Sequence, residues 1–291
     1  MSTAYLTHPL CEEHKLGEDH PESPQRLEAI QNRLIAGQLM DFLRWREANE
    51  VAIEQLNATH DPDYVASIFA KSPEEGHIEL DQETLMMPNT LDAALRASGA
   101  VVQAVDMVMS GEVQNAFCAV RPPGHHAEYD KAMGFCLFNN IAVGARHALN
   151  HYGIERIAIV DFDVHHGNGT QGIFYGRSDV LTVSIHANPE RFYPFYWGHA
   201  QERGSGTGLG YNLNLPLRRG TNDKDYLVSL AIALDRVQSF GATALVVALG
   251  LDAHEDDPFQ GLGITTAGFA QIGAAIAALG LPILHVQEGG Y

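Results

Sequence analysis

Apolar and polar positions along the chain follow two different periods. Short runs rich in Val, Ile and Ala are predicted to be buried strands; they are AFCAV, RIAIV, VLTVSI, TALVVALG and PILHV. Between them lie longer segments in which apolar residues recur with helical spacing. Such alternation is typical of βαβ units. It predicts an α/β fold in which helices cover both faces of a central parallel sheet.

One segment carries clear signals for the ends of a helix, and another resembles a membrane span. In SPQRLEAIQNRLIAG we expect Ser23 to be the N-cap, Pro24 the first helical residue and Gly37 the exit. The apolar stretch 269–286 is long enough to resemble a membrane span, but polar residues, Gly and Pro interrupt it. A helix, a turn and a strand are the better interpretation, so no membrane partner is expected.

Composition and charge narrow the class of protein. The 291 residues contain no repeat or linker and are interpreted as a single domain, 1–291. Eighteen Lys and Arg against 36 Asp and Glu give a net charge of −18, which disfavours direct contact with nucleic acid and favours cationic partners. These features are also compatible with a homo-oligomer.

The cysteines and the start of the chain bear on the compartment. Cys11, Cys118 and Cys136 are odd in number and form no CxxC pair, which fits a reducing environment. The start MSTAYLTHPL has neither a basic nor an apolar signal region. A cytoplasmic location is therefore expected.

Polar chemistry follows four of the predicted strands. The motifs RPPGHH, DFDVHHGNGT, LDAHEDDP and QEGGY each come directly after a strand. In an open parallel sheet, the carboxyl ends of the strands border the ligand crevice, so these motifs are expected to build one active site. The GxGxxG spelling in GNGTQG lies too far past its strand for a dinucleotide loop, and neither an EF-hand nor a Walker loop fits.

A metal explains the acidic part of this site best. Asp161, Asp163 and His165 alternate in an extended segment and share a face, and Asp252 arrives from another strand end. Two carboxylates and one imidazole leave a position open, as in catalytic zinc sites, and Fe(II) would also be held. The spacing leaves open which of the first three residues are ligands.

The remaining motifs supply groups that move protons. His125 and His126 follow a turn stiffened by two prolines, and imidazoles beside a metal can accept a proton from water and return it to a leaving amine. Tyr291, reached through two glycines, could stabilise a developing oxyanion through its phenol.

Together these motifs, from HPESPQRL to EGGY, resemble the zinc-dependent histone deacetylase family of the arginase/deacetylase fold. The resemblance implies one zinc ion per chain, held by Asp163, His165 and Asp252. It implies that His125 and His126 are the catalytic pair, that Asp161 orients His125, and that Tyr291 polarises the substrate carbonyl. It also implies a structural potassium ion near Asp161, Asp163, His165, Ser184 and Ile185, and a second monovalent site around Phe174, Arg177, Val180 and Tyr211.

Two departures point to one branch of the family. Asn168 stands where class I deacetylases carry Asp, and Glu288 stands where they have another Gly. Both features are similar to class II enzymes and bacterial acetylpolyamine amidohydrolases. Because Asn168 carries no charge, His126 is expected to be less basic than with an Asp partner.

The family's substrate tunnel implies an aromatic wall. Here it would be lined by Phe135 beside Gly134, and by Tyr193 or the neighbouring Phe192. Phe259 stands where polyamine-selective relatives have a glutamate. Phe259 favours acetyl-lysine or broad specificity, whereas the acidic net charge favours any cationic chain, including acetylpolyamines.

The predicted function is hydrolysis of an N-acetyl amide on an alkylamine. Two alternatives come from other classes. A ureohydrolase-like enzyme would bind two metal ions, and a non-catalytic module would bind acylated chains without turning them over.

Overall fold

The structure is a computed structural model that describes residues 2–17 and 19–291, so Met1 of the expected start and residue 18 of the predicted domain lie outside it. The described residues form ten strands: β1 (Thr3–Thr7), β2 (Leu43–Glu47), β3 (Ile78–Glu79), β4 (Leu85–Met86), β5 (Asn115–Cys118), β6 (Ile157–Asp161), β7 (Val180–Ala187), β8 (Asn212–Leu217), β9 (Ala244–Leu249) and β10 (Ile283–Gln287). The same residues form nine α-helices: α1 (Leu10–Glu13), α2 (Gln25–Ala36), α3 (Ile53–Asn57), α4 (Pro62–Lys71), α5 (Thr90–Met109), α6 (Asn140–Tyr152), α7 (Asn168–Phe174), α8 (Asp223–Phe240) and α9 (Thr266–Ala277).

Eight strands form one parallel sheet in the order β2-β1-β5-β10-β9-β6-β7-β8. The predicted α/β class is confirmed, and all five predicted apolar runs contribute strands to this sheet. The short pair β3 and β4 is antiparallel and separate.

The sheet is buried on both faces, as an all-parallel sheet must be. Ile157 and Ile159 of β6 pack into a core that includes α5 and α6, whereas Ala158 and Val160 pack into a second core formed with α8 and α9. Helices therefore cover both faces, as the sequence pattern predicts.

The helix boundaries differ slightly from expectation. The prediction that Ser23 caps α2 is wrong, because the N-cap is Pro24, whose backbone is already helical, and no side chain caps this end. Gly37 ends the helix as predicted. Stretch 269–286 contains the end of α9, a turn and β10, and no helix of the described residues is both long and apolar enough to cross a membrane.

Strand order brings the four motifs together. Strands β5, β10, β9 and β6 are neighbours in the sheet, and RPPGHH, QEGGY, LDAHEDDP and DFDVHHGNGT extend from their carboxyl ends. Because parallel strands end at the same edge, all four segments converge on one side of the sheet.

Candidate active site

Three buried side chains converge where β6 and β9 end. One ligand atom each from Asp163, His165 and Asp252 lies within 4.8 Å of the others. His165 Nδ1 is 3.0 Å from Asp163 Oδ1 and 3.3 Å from Asp252 Oδ2. Asp161 is not part of this group and interacts with His125 instead. The spacing left open which of Asp161, Asp163 and His165 are ligands. The geometry groups Asp163 and His165 with Asp252.

The donor set fits a divalent metal ion. Among the described residues, no hydrogen-bond donor satisfies the buried Oδ2 of Asp252, and an unsatisfied buried carboxylate oxygen is costly. Burial and the adjacent Asp163 carboxylate raise the pKa of Asp252 to about 7. A cation would compensate both the unsatisfied oxygen and the repulsion between the two carboxylates. Two oxygens with one imidazole nitrogen suit zinc or Fe(II).

A glycine lets the end of β10 approach this cluster closely. A Cβ at Gly289 would lie 1.9 Å from Asp252 Oδ2 and 2.5 Å from Asp163 Oδ2. The amide of Gly289 instead donates to Asp163 Oδ2 at 2.7 Å. The backbone of the EGGY segment therefore orients one carboxylate of the cluster.

The two histidines of RPPGHH lie in different environments. His125 Nδ1 is 2.9 Å from Asp161 Oδ2, and His126 Nδ1 is 2.7 Å from Asn168 Oδ1. Burial lowers the pKa of His125, but Asp161 and Asp163 outweigh it and raise the pKa to about 10. Burial and the neighbouring His125 and His165 hold the pKa of His126 well below its usual value. His126 is thus the neutral imidazole of the pair.

Tyr291 is held from two sides. Its amide donates to Asp257 Oδ2 at 2.9 Å, and the guanidinium of Arg26 lies 4.8 Å from the centre of its ring. Arg26 also donates to the carbonyls of Glu288 and Gly290. Burial raises the pKa of the Tyr291 phenol well above its usual value. The phenol therefore remains a hydrogen-bond donor at neutral pH.

A cavity of about 200 Å³ opens onto these groups. Its lining comprises Glu83, Pro123, His125, His126, Gly134, Phe135, His165, Arg191, Phe192, Tyr193, Phe195, Phe259 and Tyr291. The five residues expected along the tunnel are all among them. Phe192 stacks on His165 with ring centres 5.0 Å apart, and Phe259 meets Tyr291 edge-on at the same distance. The walls are thus aromatic on several sides.

Sequence reasoning missed Glu83. It lies in the turn between β3 and β4, far along the chain from every motif, and nothing in its neighbours indicates a site. The side chain of the adjacent Thr84 accepts a hydrogen bond from the amide of Phe135 at 3.1 Å, which holds this turn against the cavity wall. Burial and Asp81 raise the pKa of Glu83.

The residues expected around potassium fall into two groups. Asp161 pairs in register with Ser184 on the neighbouring strand, next to Ile185. Phe174 ends α7, Val180 begins β7, and Arg177 lies between them. The carbonyl of Tyr211 accepts from Thr182 on β7. The segments of each group are adjacent, and ion binding there stays a prediction.

Comparison with known proteins matches residues 20–291 to the histone deacetylase domain. The chain is 43% identical over 209 residues to the acetylpolyamine amidohydrolase of Mycoplana ramosa, covering 72% of this chain and 61% of that protein. It is 36% identical over 298 residues to the acetylpolyamine amidohydrolase of Burkholderia pseudomallei, covering 92% and 86%. The crystal structure of the HDA15 HD domain superposes with a TM-score of 0.95 at 34% identity, covering all of this chain and 83% of the other.

Proposed function

The chain belongs to the histone deacetylase family, and on that premise we propose that it hydrolyses the amide of an N-acetylated alkylamine. One observation carries the proposal. A neutral imidazole, a half-buried phenol and the cluster of Asp163, His165 and Asp252 all line or border one aromatic cavity. Structural K⁺ at the two predicted positions and a cytoplasmic location belong to the same proposal.

The cluster is proposed to hold one Zn²⁺, and Fe²⁺ could occupy the same ligands. When bound, such an ion supplies a positive charge that polarises a carbonyl and makes water more acidic. His126, neutral and hydrogen-bonded through Nδ1 to Asn168, accepts the proton of the attacking water. His125, kept protonated by Asp161, adds positive charge beside it. The proton then passes to the leaving amine, and acetate is the second product.

Tyr291 acts on the acyl oxygen. Because its phenol stays protonated, it can donate a hydrogen bond to the oxygen that gains negative charge as water attacks. The aromatic walls exclude water from the alkyl chain of the substrate. Each residue thus has one role in binding, proton transfer or charge stabilisation.

Within this reaction we place acetylpolyamines first among the substrates. Phe259 alone favours acetyl-lysine, but the carboxylate of Glu83 also lines the cavity, beside Asp81. A carboxylate there suits a substrate with a further ammonium group, as a polyamine has. The relatives named acetylpolyamine amidohydrolases support the same choice.

A substrate panel tests the proposal. The zinc-loaded protein is assayed with acetylputrescine, acetylspermidine and acetyl-lysine peptides, and its metal content is measured by elemental analysis. We expect turnover with one catalytic metal ion per chain. Two such ions would favour a ureohydrolase-like enzyme, and binding without turnover would favour a module for acylated chains.

Glu83→Gln tests the substrate class. Loss of the carboxylate should raise KM for acetylpolyamines up to about 5-fold, as expected for one charge interaction of up to about 1 kcal/mol, and leave KM for a neutral acetyl-lysine peptide unchanged. Glu190→Gln removes the same charge from an exposed position after β7 and serves as the control. Equal effects of the two substitutions would contradict a specific role for Glu83.

A further inference from the structure

The Asn168 side chain lies between the proton-accepting histidine and a carboxylate. Its Oδ1 is 2.7 Å from His126 Nδ1, and its Nδ2 donates to Glu128 Oε1 at 2.9 Å. Asn168 is buried at the first turn of α7, and Glu128 is half-buried two residues past His126. Three side chains thus form a hydrogen-bonded series that ends outside the cavity.

Everything around Nδ2 of Asn168 accepts hydrogen bonds. Besides Glu128, its neighbours are Met133 Sδ at 3.3 Å and the carbonyl of His126 at 3.4 Å. A carboxylate, a thioether and a carbonyl cannot donate. If the amide were turned by half a rotation, its oxygen would face three acceptors. Glu128, as the only charged one, contributes most to the observed orientation.

The orientation of the amide decides which nitrogen of His126 carries the proton. Because Oδ1 can only accept, Nδ1 of the neutral ring must donate to it, and Nε2 keeps its lone pair. An aspartate in place of Asn168 would favour a proton on Nδ1 in either orientation of its carboxylate, because both of its oxygens accept hydrogen bonds. An asparagine offers an oxygen on one side and an NH₂ on the other, so it needs a third group to set its direction.

The loop that carries Glu128 is itself fixed. The amide of Glu128 donates to the carbonyl of Lys131 at 2.9 Å, and Met133 and Cys136 exchange backbone hydrogen bonds. At Gly134, where φ is +56°, a Cβ would lie 2.5 Å from the His126 ring. The loop therefore packs directly on the imidazole that it helps to orient.

We propose that Glu128 is a positioning residue, whose carboxylate directs the Asn168 amide so that His126 presents an unprotonated Nε2 for catalysis. The proposal rests on the deacetylase function proposed above. Glu128 acts through Asn168 and is not among the residues that line the cavity or form the cluster of metal ligands.

A double-substitution cycle tests the proposal. Glu128→Lys replaces the acceptor by a donor, which should turn the amide and lower kcat about 10–100-fold with little change in KM, as losing an orienting partner of a catalytic group does. With Asn168→Asp present, the carboxylate accepts from His126 in either orientation. Glu128→Lys should then cost less than about 3-fold, well below the cost with Asn168.

Two further variants separate orientation from general disturbance. Glu128→Gln retains an acceptor oxygen and should keep most of the activity. Asp130→Lys changes the charge equally at an exposed position of the same loop and should leave kcat unchanged. If Glu128→Lys does not fold, Glu128→Met, which has no oxygen, takes its place in the cycle.

The ¹⁵N spectrum of the His126 ring gives a readout that needs no turnover. In the zinc-loaded protein, Nδ1 should carry the proton, and Glu128→Lys should move it to Nε2. A wild-type ring protonated at Nε2, or equal losses of kcat in both backgrounds of the cycle, would overturn the proposal. Absence of turnover in the wild type with the expected spectrum would instead contradict the deacetylase function alone.

Discussion

At the scale of single residues, the site separates two chemically identical side chains by their partners. The ring centres of His125 and His126 are 4.0 Å apart, yet a carboxylate faces one and an amide faces the other. The first is therefore favoured as imidazolium and the second as neutral imidazole. Neighbouring groups whose pKa values are pushed in opposite directions commonly divide the acid and base roles.

Tyr291→Phe tests the charge-stabilising role directly. The acyl oxygen needs the phenol donor far more in the transition state than in the ground state, so kcat should fall about 10²–10³-fold, while KM changes much less. Steady-state kinetics at full zinc occupancy measure the effect. Tyr129→Phe, which removes an exposed phenol, is the control. A Tyr291→Phe enzyme as fast as the parent would exclude the proposed role.

At the scale of strands and helices, prediction succeeded where burial leaves a clear signal. The central strands β6, β7 and β9 are almost entirely buried and mostly apolar, so their sequences predict them. Edge strand β2, LRWRE, is mostly exposed and has no such pattern. Motifs directly after buried strands could likewise be assigned to one site, because the sheet itself aligns their ends.

Contacts that depend on how separate loops meet could not be predicted. The sequence contains Glu83 and Glu128 among many acidic residues, and only the packing of their loops selects them. The spacing of the motif alone did not select Asp163 over Asp161, which the family resemblance did, and the physical reason for the choice is the position of β9 beside β6. Local pattern thus predicts the scaffold and the main groups, and tertiary packing supplies their partners.

Gly289→Ala tests the close approach of β10 to the cluster. The added methyl group would occupy the space of the Asp252 and Asp163 oxygens, so metal content and activity should fall together. Gly273→Ala is the matched control, since no atom of the described residues outside the immediate helix lies within 4 Å of its Cβ position, and it should gain up to about 1 kcal/mol of stability. Full metal occupancy in Gly289→Ala would contradict the expected clash.

At the scale of the whole molecule, buried and half-buried histidines predict acid sensitivity. Burial is the main cause that lowers the pKa values of His14, His60, His186 and His285 to about 4. Between pH 6.5 and 4 the unfolded chain binds protons at these sites and the folded chain does not. The free energy of unfolding should therefore be highest above pH 6.5 and decrease as the pH falls from 6.5 to 4.

His285→Leu isolates one contribution. The slope of the unfolding free energy against pH should fall by up to about 1.4 kcal/mol per pH unit in this window, because one proton uptake is removed. Denaturant unfolding at several pH values measures it. An unaltered slope in His285→Leu would show that this imidazole does not contribute.

The position of β10 has a consequence for synthesis. This strand leaves the ribosome after the other strands of the described sheet, yet it lies between β5 and β9 and joins β2-β1-β5 to β9-β6-β7-β8. Until it emerges, the nascent chain can form only two partial sheets, each with an unpaired edge where β10 will insert. Such edges pair readily with other chains. The growing polypeptide should therefore depend on chaperones that shield these edges until β10 joins the two halves.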